Sequence, residues 1–268
     1  MSAALMPDAA PAPALLLRED RDGVATLTLN RGPARNALSM ALMAALQEAL
    51  DGIAADPRVR VVILRGAGPA FCAGHDLKEM RGEPGPAAVE AVFRACSRLM
   101  LAITRLPQPV IAQVHGIATA AGCQLVATCD LAICADDASF ATPGVHIGLF
   151  CSTPMVALSR AVGRKAALEM LLLGDLIDAA EAHRIGLVNR VVPGAELEGA
   201  ARNMAERIAA KSRRVLAIGK EAFAVQGELD LEAAYAYTAG VMTRNMMLDD
   251  AAEGIDAFLQ KRAPRWSA

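Results

Sequence analysis

The sequence predicts a mixed α/β core followed by a helical C-terminal third. Strand and helix patterns alternate between residues 24 and 134, strand patterns become rare after residue 153, and a Pro193-Gly194 pair separates the two parts. Strands that alternate with helices favour a parallel or mixed sheet with right-handed crossovers. The predicted units are a disordered tail over 1–17, a core over 18–194 and a helical region over 195–268.

A β-α-β unit opens the core. Residues 24–30 alternate apolar and polar side chains as a half-buried strand does. Ser39 is a candidate helix cap, apolar residues recur at helical spacing over 42–53, and an Asp56-Pro57 pair ends the run. Residues 59–64 form a β-branched run typical of a buried strand, and a Gly-rich loop follows over 66–80.

The alternation continues and then gives way to helices. In the second half of the core, helices are predicted at 87–105 and 119–128, with strands at 110–114 and 131–134. The C-terminal part contains one further strand pattern, at 187–192. Helical periods occupy the rest, at 166–173, 178–185, 195–210, 214–226, 231–247 and 249–260.

Composition excludes several classes of function. A net charge of -2 and a pI near 6.1 leave no basic field for nucleic acid or for an anionic membrane. The six cysteines include no CxxC pair, which is typical of reduced thiols in a core rather than of disulfides or a zinc site. The longest uncharged run, 106–129, is interrupted by Pro109 and Gly116 and predicts no membrane span.

Residues 1–17 carry no basic residue and fit neither a secretory signal nor a transit peptide, so a cytoplasmic protein is expected.

Four segments in this order resemble the enoyl-CoA hydratase/isomerase, or crotonase, family. They are 29–31 with 36–38, then 70–79, then 109–116 with 121–124, and finally 174–178 with 186–188. Residues 118–125, 139–145 and 148–154 are similar to the members called enoyl-CoA hydratase domain-containing proteins. The resemblance implies a spiral of β-β-α units with a helical C-terminal trimerisation region, a role in fatty-acid metabolism, and homotrimers or hexamers.

The resemblance also implies a site for a coenzyme A thioester. Reactions of this family stabilise an enolate by two main-chain N–H groups, which fall on His75 and Ala121, and the helix that begins near Ala121 turns its positive end toward the same oxygen. The imidazole of His75 is expected to face solvent or the coenzyme. No covalently bound cofactor and no metal are implied. The coenzyme contacts carried over are Ala73, Asp76, Leu77, Lys78 and Arg35, with Phe258 and Lys261 closing the site, often from a neighbouring subunit.

Two catalytic carboxylates of the family are absent. Their positions fall on Gln124, whose amide cannot accept a proton at useful pH, and on Gly144, which has no side chain. Addition of water to an enoyl thioester needs such acids, so hydratase activity is expected to be weak or absent. Restoring both by Gln124→Glu with Gly144→Glu is expected to raise it.

Two functions therefore remain open. One is an atypical lyase or isomerase that stabilises an enolate with a non-standard or substrate-borne base, in isomerisation, decarboxylation or thioester cleavage. His146 is a candidate for that base because imidazole suits proton transfer near neutral pH. A packed or surface role for His146 is the alternative. The other function is a non-catalytic carrier of acyl-CoA.

Overall fold

A six-stranded sheet lies at the centre of the fold in the computed structural model, which describes residues 13–82 and 84–267. The strands are β1 (Leu16–Arg21), β2 (Val24–Leu29), β3 (Val61–Gly66), β4 (Val110–Val114), β5 (Ile117–Thr119), β6 (Leu131–Ala135), β7 (Ser139–Ala141), β8 (Ile177–Asp178) and β9 (Arg190–Val192). The α-helices are α1 (Met40–Ala55), α2 (Leu77–Gly82), α3 (Pro86–Arg105), α4 (Ala121–Thr128), α5 (Ser152–Ala161), α6 (Arg164–Leu173), α7 (Ala179–Arg184), α8 (Leu197–Ala209), α9 (Arg213–Gln226), α10 (Leu231–Met246) and α11 (Asp249–Leu259).

The large sheet is mixed, as predicted. Its strand order is β1-β2-β3-β4-β6-β9, with β1 antiparallel to β2 and every other neighbouring pair parallel. A small second sheet joins β5 to β7 in parallel and β7 to β8 in antiparallel orientation. The parallel neighbours β3, β4 and β6 are linked through α3 and α4, which place the ends of these strands and the starts of the helices beside one another.

The central strands are buried on both faces. In β3, Val62 and Leu64 belong to the cluster that includes residues of α1, α3 and α4, whereas Val61 and Ile63 pack in a second cluster with Met204 of α8. This alternation is the period-2 pattern of a strand between two layers. Helix α8, which the sequence assigned to the C-terminal region, therefore covers the second face of the core sheet.

Local signals placed most helices well. Ser39 caps α1, since its Oγ accepts a hydrogen bond from the Leu42 N–H at 3.2 Å, and α1 ends at the predicted Asp56. Strand β3 begins two residues later than predicted because the Val59 N–H donates to the Asp56 carbonyl and prolongs the turn after α1. The four predicted helices after residue 194 correspond to α8 to α11. Among the described residues, no helix has the combined length and hydrophobicity of a membrane span.

Several short elements were missed. Strand β1 begins at Leu16, inside the predicted tail, while residues 1–12 of that tail lie outside the described part. Strands β5, β7 and β8 have only two or three residues each, and the sequence also gave no prediction of α2 or α5. Because β5 precedes α4, that helix begins at Ala121 rather than at residue 119.

Candidate active site

The loop after β3 is fastened by one buried side chain. Asn36 has no exposed surface; its Nδ2 donates to the carbonyls of Ala67 and Ala70, both at 2.8 Å, and its Oδ1 accepts from the Arg31 N–H at 2.8 Å. All its strong hydrogen-bonding groups are thus satisfied inside the protein, as a buried amide requires. The loop that follows β3 is thereby held at a fixed distance from the turn before α1.

The main chain of His75 leaves its own N–H free. Leu38 bridges to His75 in parallel fashion, with the Leu38 N–H donating to Gly74 at 2.7 Å and the Asp76 N–H donating to Leu38 at 3.2 Å. In such a bridge the N–H and C=O of the central residue point away from the partner strand. Within the described residues, the His75 N–H has no hydrogen-bond acceptor.

A second donor for which the described residues provide no acceptor lies at the start of α4. Ala121 is the first residue of this helix and is fully buried, and its N–H is one of those that the helix itself cannot pair. The preceding residue, Ala120, has φ 50° and ψ −116° and is held by a hydrogen bond from its N–H to Ala141 at 2.9 Å. This unusual conformation turns the chain from β5 into α4 and directs the Ala121 N–H outward from the helix end.

The two donor segments touch each other. A Cβ placed on Gly74 would lie 2.9 Å from the Cβ of Ala120 and 3.4 Å from the nitrogen of Ala121. Gly74 also has φ +94°, a conformation that glycine adopts without strain. The N–H groups of His75 and Ala121 are therefore carried by adjacent turns. Two preorganised main-chain donors of this kind can hold a carbonyl oxygen that becomes negatively charged.

Gln124 and Gly144 are the two residues that the resemblance matched to the carboxylates of the family. Gln124 is 4% exposed, and its Oε1 accepts a hydrogen bond from the Cys96 thiol at 3.8 Å. Gly144 is packed so closely that a Cβ there would lie 2.8 Å from the Leu149 carbonyl oxygen and 2.9 Å from the Cys151 sulfur. Burial raises the pKa of the Cys151 thiol, so this group stays protonated at neutral pH.

The ring nitrogens of His75 do not face solvent, which was one of the two directions expected for the imidazole; the other, toward the coenzyme, stays a prediction. Both ring nitrogens are buried and have no hydrogen-bond partner in the described part of the chain. The ring meets Phe93 of α3 edge to face, with centroids 5.5 Å apart and planes at 85°. Burial lowers the pKa of His75, and the nearby carbonyl of Leu38, which is outside hydrogen-bonding geometry for either nitrogen, offsets part of this effect. Phe93 of α3 lies against the ring and helps to keep its nitrogens from solvent.

The imidazole of His146 forms a hydrogen bond outside the candidate site. Its imidazole is on the surface, and its Nε2 hydrogen-bonds the Leu173 carbonyl at the end of α6 at 2.8 Å. A glycine at residue 174 permits this contact, since a Cβ there would lie 3.1 Å from the same nitrogen. The structure thus favours the surface role for His146 over that of a base.

The predicted coenzyme contacts surround the His75 loop, although one of them has a structural role. Ala73 donates its N–H to the Arg35 carbonyl at 3.0 Å, which brings the two loops together. Lys78 is exposed, and within the described residues it forms no ion pair. Asp76 instead pairs with Arg31 at 2.9 Å, and its Oδ1 accepts from the main-chain N–H of Lys78 at 3.1 Å at the start of α2. Leu77, between them, is half exposed.

Phe258 and Lys261 lie at the far end of the chain. Phe258 is 82% exposed near the end of α11, and Lys261, with φ 54°, follows it on the surface. Helix α11 packs mainly against α10. The structure of a single chain therefore does not bring these two residues to the His75 loop.

Sequence reasoning missed three contributors: Asn36, Arg31 and Phe93. Asn36 and Arg31 were noted within a matching segment without a role, and their bonds depend on residues about 30 to 45 positions away. Among the described residues, no group of three or more His, Cys, Asp or Glu side chains is arranged to hold a metal ion.

Comparison with known proteins decides the family. The model of the enoyl-CoA hydratase/isomerase family matches residues 19–268. The chain belongs to this family. Among family members, enoyl-CoA hydratase domain-containing protein 3 from rat is 48% identical over 95% of this chain and 85% of the relative. The crystal structure of its human counterpart has a TM-score of 0.92 at 48% identity and covers 94% of this chain and 100% of that one. An enoyl-CoA hydratase structure from Mycobacterium smegmatis has a TM-score of 0.93 at 56% identity, over 95% and 99% of the two chains.

These family relatives confirm two sequence predictions and overturn a third. The crotonase fold and the likeness to the enoyl-CoA hydratase domain-containing proteins are confirmed. The cytoplasmic location is contradicted, because the rat, mouse and human relatives are named as mitochondrial proteins. The absence of basic residues from positions 1–17 was therefore a poor guide to location.

Proposed function

We propose that this protein binds a coenzyme A thioester and stabilises its enolate through the main-chain N–H groups of His75 and Ala121. The observation that supports this most is a pair of N–H donors, without acceptors in the described part of the chain, on two touching turns, one of them at a helix start. The positive end of α4 adds to the attraction for a developing oxyanion. Losing one such donor costs about 3 kcal/mol of transition-state stabilisation in comparable sites.

The same proposal gives the coenzyme a place on the outer side of the His75 loop. Lys78, at the start of α2, and Arg35, in the turn before α1, are exposed cations that would pair with the coenzyme phosphates, while Ala73 and Leu77 would line its pantetheine arm. Phe258 and Lys261 would close the site from a neighbouring subunit. The exposed apolar side chains of α10 and α11 support assembly into trimers or paired trimers.

Weak hydration of enoyl thioesters is part of the proposal. With an amide at Gln124 and no side chain at Gly144, water lacks both a base and an acid, each of which supplies on the order of 10² to 10⁴ in rate. The enzyme would then act by moving protons next to the thioester, as in isomerisation, rather than by adding water. A non-catalytic acyl-CoA carrier is the second candidate, and the two missing acids favour it.

Carbon-13 spectroscopy of a bound thioester tests the donor pair. Hexanoyl-CoA labelled at its carbonyl carbon is added to the purified protein, and the carbonyl signal is compared with that of the free ligand. Two strong donors polarise the carbonyl, so we expect a downfield shift on binding. Binding without any shift would favour the carrier. A failure to bind hexanoyl-CoA in calorimetry, with free hexanoate as the control ligand, would contradict the whole proposal.

Hydration itself is measured with crotonyl-CoA. We expect a rate at least about 100-fold below that of a family hydratase that retains both glutamates, because at least one proton-transferring group is lost. A rate equal to that of the hydratase would contradict the reading of positions 124 and 144.

A further inference from the structure

The first turn of α11 contains a buried acid. Among the described residues, Asp250 is the most deeply buried Asp, Glu, Lys or Arg, with 3% of its surface exposed. Its neighbour Asp249, in the same turn, is exposed. A carboxylate is rarely buried to this extent unless hydrogen-bond donors inside the protein replace the water that it loses. The surroundings of Asp250 therefore indicate what this turn of α11 is attached to.

Donors from two other segments surround the Asp250 carboxylate. Its Oδ1 accepts hydrogen bonds from the main-chain N–H and from the hydroxyl of Ser267, both at 2.7 Å. Its Oδ2 accepts from the hydroxyl of Ser212, the N-cap of α9, which is also 3% exposed. Burial opposes ionisation of Asp250, but these hydrogen bonds outweigh it and lower the pKa of the carboxyl group below 3.8. The carboxylate is thus charged at neutral pH, which strengthens the bonds that it accepts.

The segment that follows α11 runs back along this helix to reach the carboxylate. The main-chain N–H of Arg265 donates to the side chain of Glu253 at 2.7 Å. The ring of Trp266 lies against Gly254, where a Cβ would be 3.3 Å from the ring carbons. The next residue of the segment meets Asp250, one turn closer to the start of the helix. The segment therefore lies along the first half of α11 and runs in the opposite direction to it.

The same contacts attach α11 to the layer that covers the core sheet. The indole Nε1 of Trp266 donates to the carbonyl of Ala210, the residue that follows α8, at 2.8 Å. Ser212 lies two residues further on, at the start of α9. Helix α8 packs on the second face of the sheet, so the junction of α8 and α9 is a fixed point. Helix α11 itself buries only Asp250 and Ala257, so its position relative to α8 depends strongly on these polar contacts.

We propose that residues 263–267 form a strap, with the Asp250 carboxylate as its clasp, which fixes α11 to the junction of α8 and α9 and so places Phe258 and Lys261 for coenzyme binding. The role in binding rests on the proposed function, in which those two residues close the coenzyme site of a neighbouring subunit. When the strap is open, α11 is out of place, and the apparent affinity for the coenzyme thioester falls with the fraction of time spent closed. Asp250 and Trp266 are positioning residues, since they act through α11.

Fluorescence and amide exchange test the strap itself. Trp266 is the single tryptophan of the chain, so its emission reports on the strap alone, and Asp250→Ala should shift it toward that of exposed tryptophan. Hydrogen–deuterium exchange in α11 should become about 10-fold faster or more, because hydrogen bonds to a charged group are lost. Exchange in β3 and β4 should stay at the wild-type rate and show that the core is folded. Asp249→Ala removes the exposed acid of the same turn and, as the matched control, should change neither emission nor exchange.

Calorimetry with hexanoyl-CoA tests the consequence for binding. Trp266→Ala, which leaves the buried acid in place, is the second variant and should also accelerate exchange in α11. We expect binding about 5-fold weaker in Asp250→Ala and Trp266→Ala and unchanged in Asp249→Ala. Wild-type exchange in α11 of both strap variants would overturn the strap, and faster exchange with wild-type affinity would overturn its role in binding. If the wild type binds no hexanoyl-CoA, the proposed function falls, whereas the exchange rates still decide whether the strap exists.

Discussion

The Cα atom of Gly122 is pressed against the carbonyl of Cys72, so that a Cβ on Gly122 would lie 2.0 Å from that oxygen. The contact joins the first turn of α4 to the segment that leads to His75. Cys72 is held from its other side, since its N–H donates to Ile117 and its carbonyl accepts from Thr119. The spacing between the two candidate donor segments is therefore fixed by main-chain contact rather than by side chains.

Gly122→Ala should be strongly destabilising. The new methyl group meets main-chain atoms that cannot rotate away, so we expect a loss of about 3 kcal/mol or more in the free energy of unfolding. Denaturant unfolding measures it. Gly199→Ala in α8 is the matched control: nothing lies within 4 Å of a Cβ there, and the better helix propensity should add up to about 1 kcal/mol. Equal stability of the Gly122→Ala variant and the wild type would refute the contact.

Ala120→Gly should stabilise the protein or leave its stability unchanged. Ala120 has φ 50° and ψ −116°, which glycine adopts freely, and such strain costs on the order of 1–3 kcal/mol for a residue with a side chain. The greater flexibility of glycine in the unfolded chain lowers the free energy of unfolding by about 1 kcal/mol and so offsets part of this gain. Thermal melting compares the variant with Ala118→Gly in β5, which should lower the melting temperature. A clear loss of stability in Ala120→Gly would argue against the strained turn.

Restoring the two acids should not work as the sequence suggested. The Leu149 carbonyl lies 2.8 Å from a Cβ on Gly144, so Gly144→Glu requires a shift of the 148–151 segment and should destabilise by about 1–3 kcal/mol. Gln124→Glu alone preserves the side-chain volume. We expect its crotonyl-CoA hydration to rise above wild type and to exceed that of the double variant. A larger gain in a stable double variant would show that the segment adapts.

The Arg31–Asp76 pair should make the free energy of unfolding depend on pH in the acidic range. Burial opposes ionisation of Asp76, but the hydrogen bonds from Arg31 and from the start of α2 outweigh it and lower the pKa of the carboxyl group below 3.8. A lowered folded pKa contributes stability that is present above the unfolded value and is lost as pH falls through the folded one. Asp76→Asn should therefore cost about 1 kcal/mol at pH 7 and less as the pH drops below 3.8. A constant difference from pH 7 to pH 2.5 in denaturant unfolding would contradict this.

Lys220 of α9 should be needed to attach the C-terminal helices. Its Nζ is mostly buried and donates to Asp130 at 2.7 Å and to the carbonyls of Ile103 and Gln108 at 3.0 and 3.1 Å. Lys220→Met leaves the Asp130 carboxylate without its cation, which should cost about 3 kcal/mol in unfolding free energy. Arg184→Met breaks an exposed pair and should cost less than about 1 kcal/mol. Equal losses in the two variants would argue against a special role for Lys220.

Much of the fold could be predicted because its signals are local. The cap at Ser39 and the apolar spacing of α1 lie within a few turns of one another in the sequence. The unbroken run of apolar residues in β3 indicates directly that this strand is buried on both faces. Strands β5 and β7 could not be predicted, since three residues carry little periodicity and their pairing joins positions about 22 apart. Strand β1 was missed because five of its six residues are exposed and the stretch lacks an alternating pattern.

The candidate site also has features that the sequence predicted and features that only the packing of distant segments determines. Matching segments predicted donors at His75 and Ala121 and replaced carboxylates at Gln124 and Gly144, and these roles stay predictions. The direction of the His75 ring could not be read from them, since it depends on Phe93 of α3, and the lack of space at Gly144 depends on the Leu149 main chain. Such facts arise from packing between distant segments, for which the sequence offers no local pattern.

The bridge between Leu38 and His75 engages Gly74 and Asp76 and uses neither the side chain nor the N–H of His75. Substitutions at position 75 would therefore change the side chain while the bridge keeps the main chain of this loop in place. A laboratory evolution experiment could begin at this single codon.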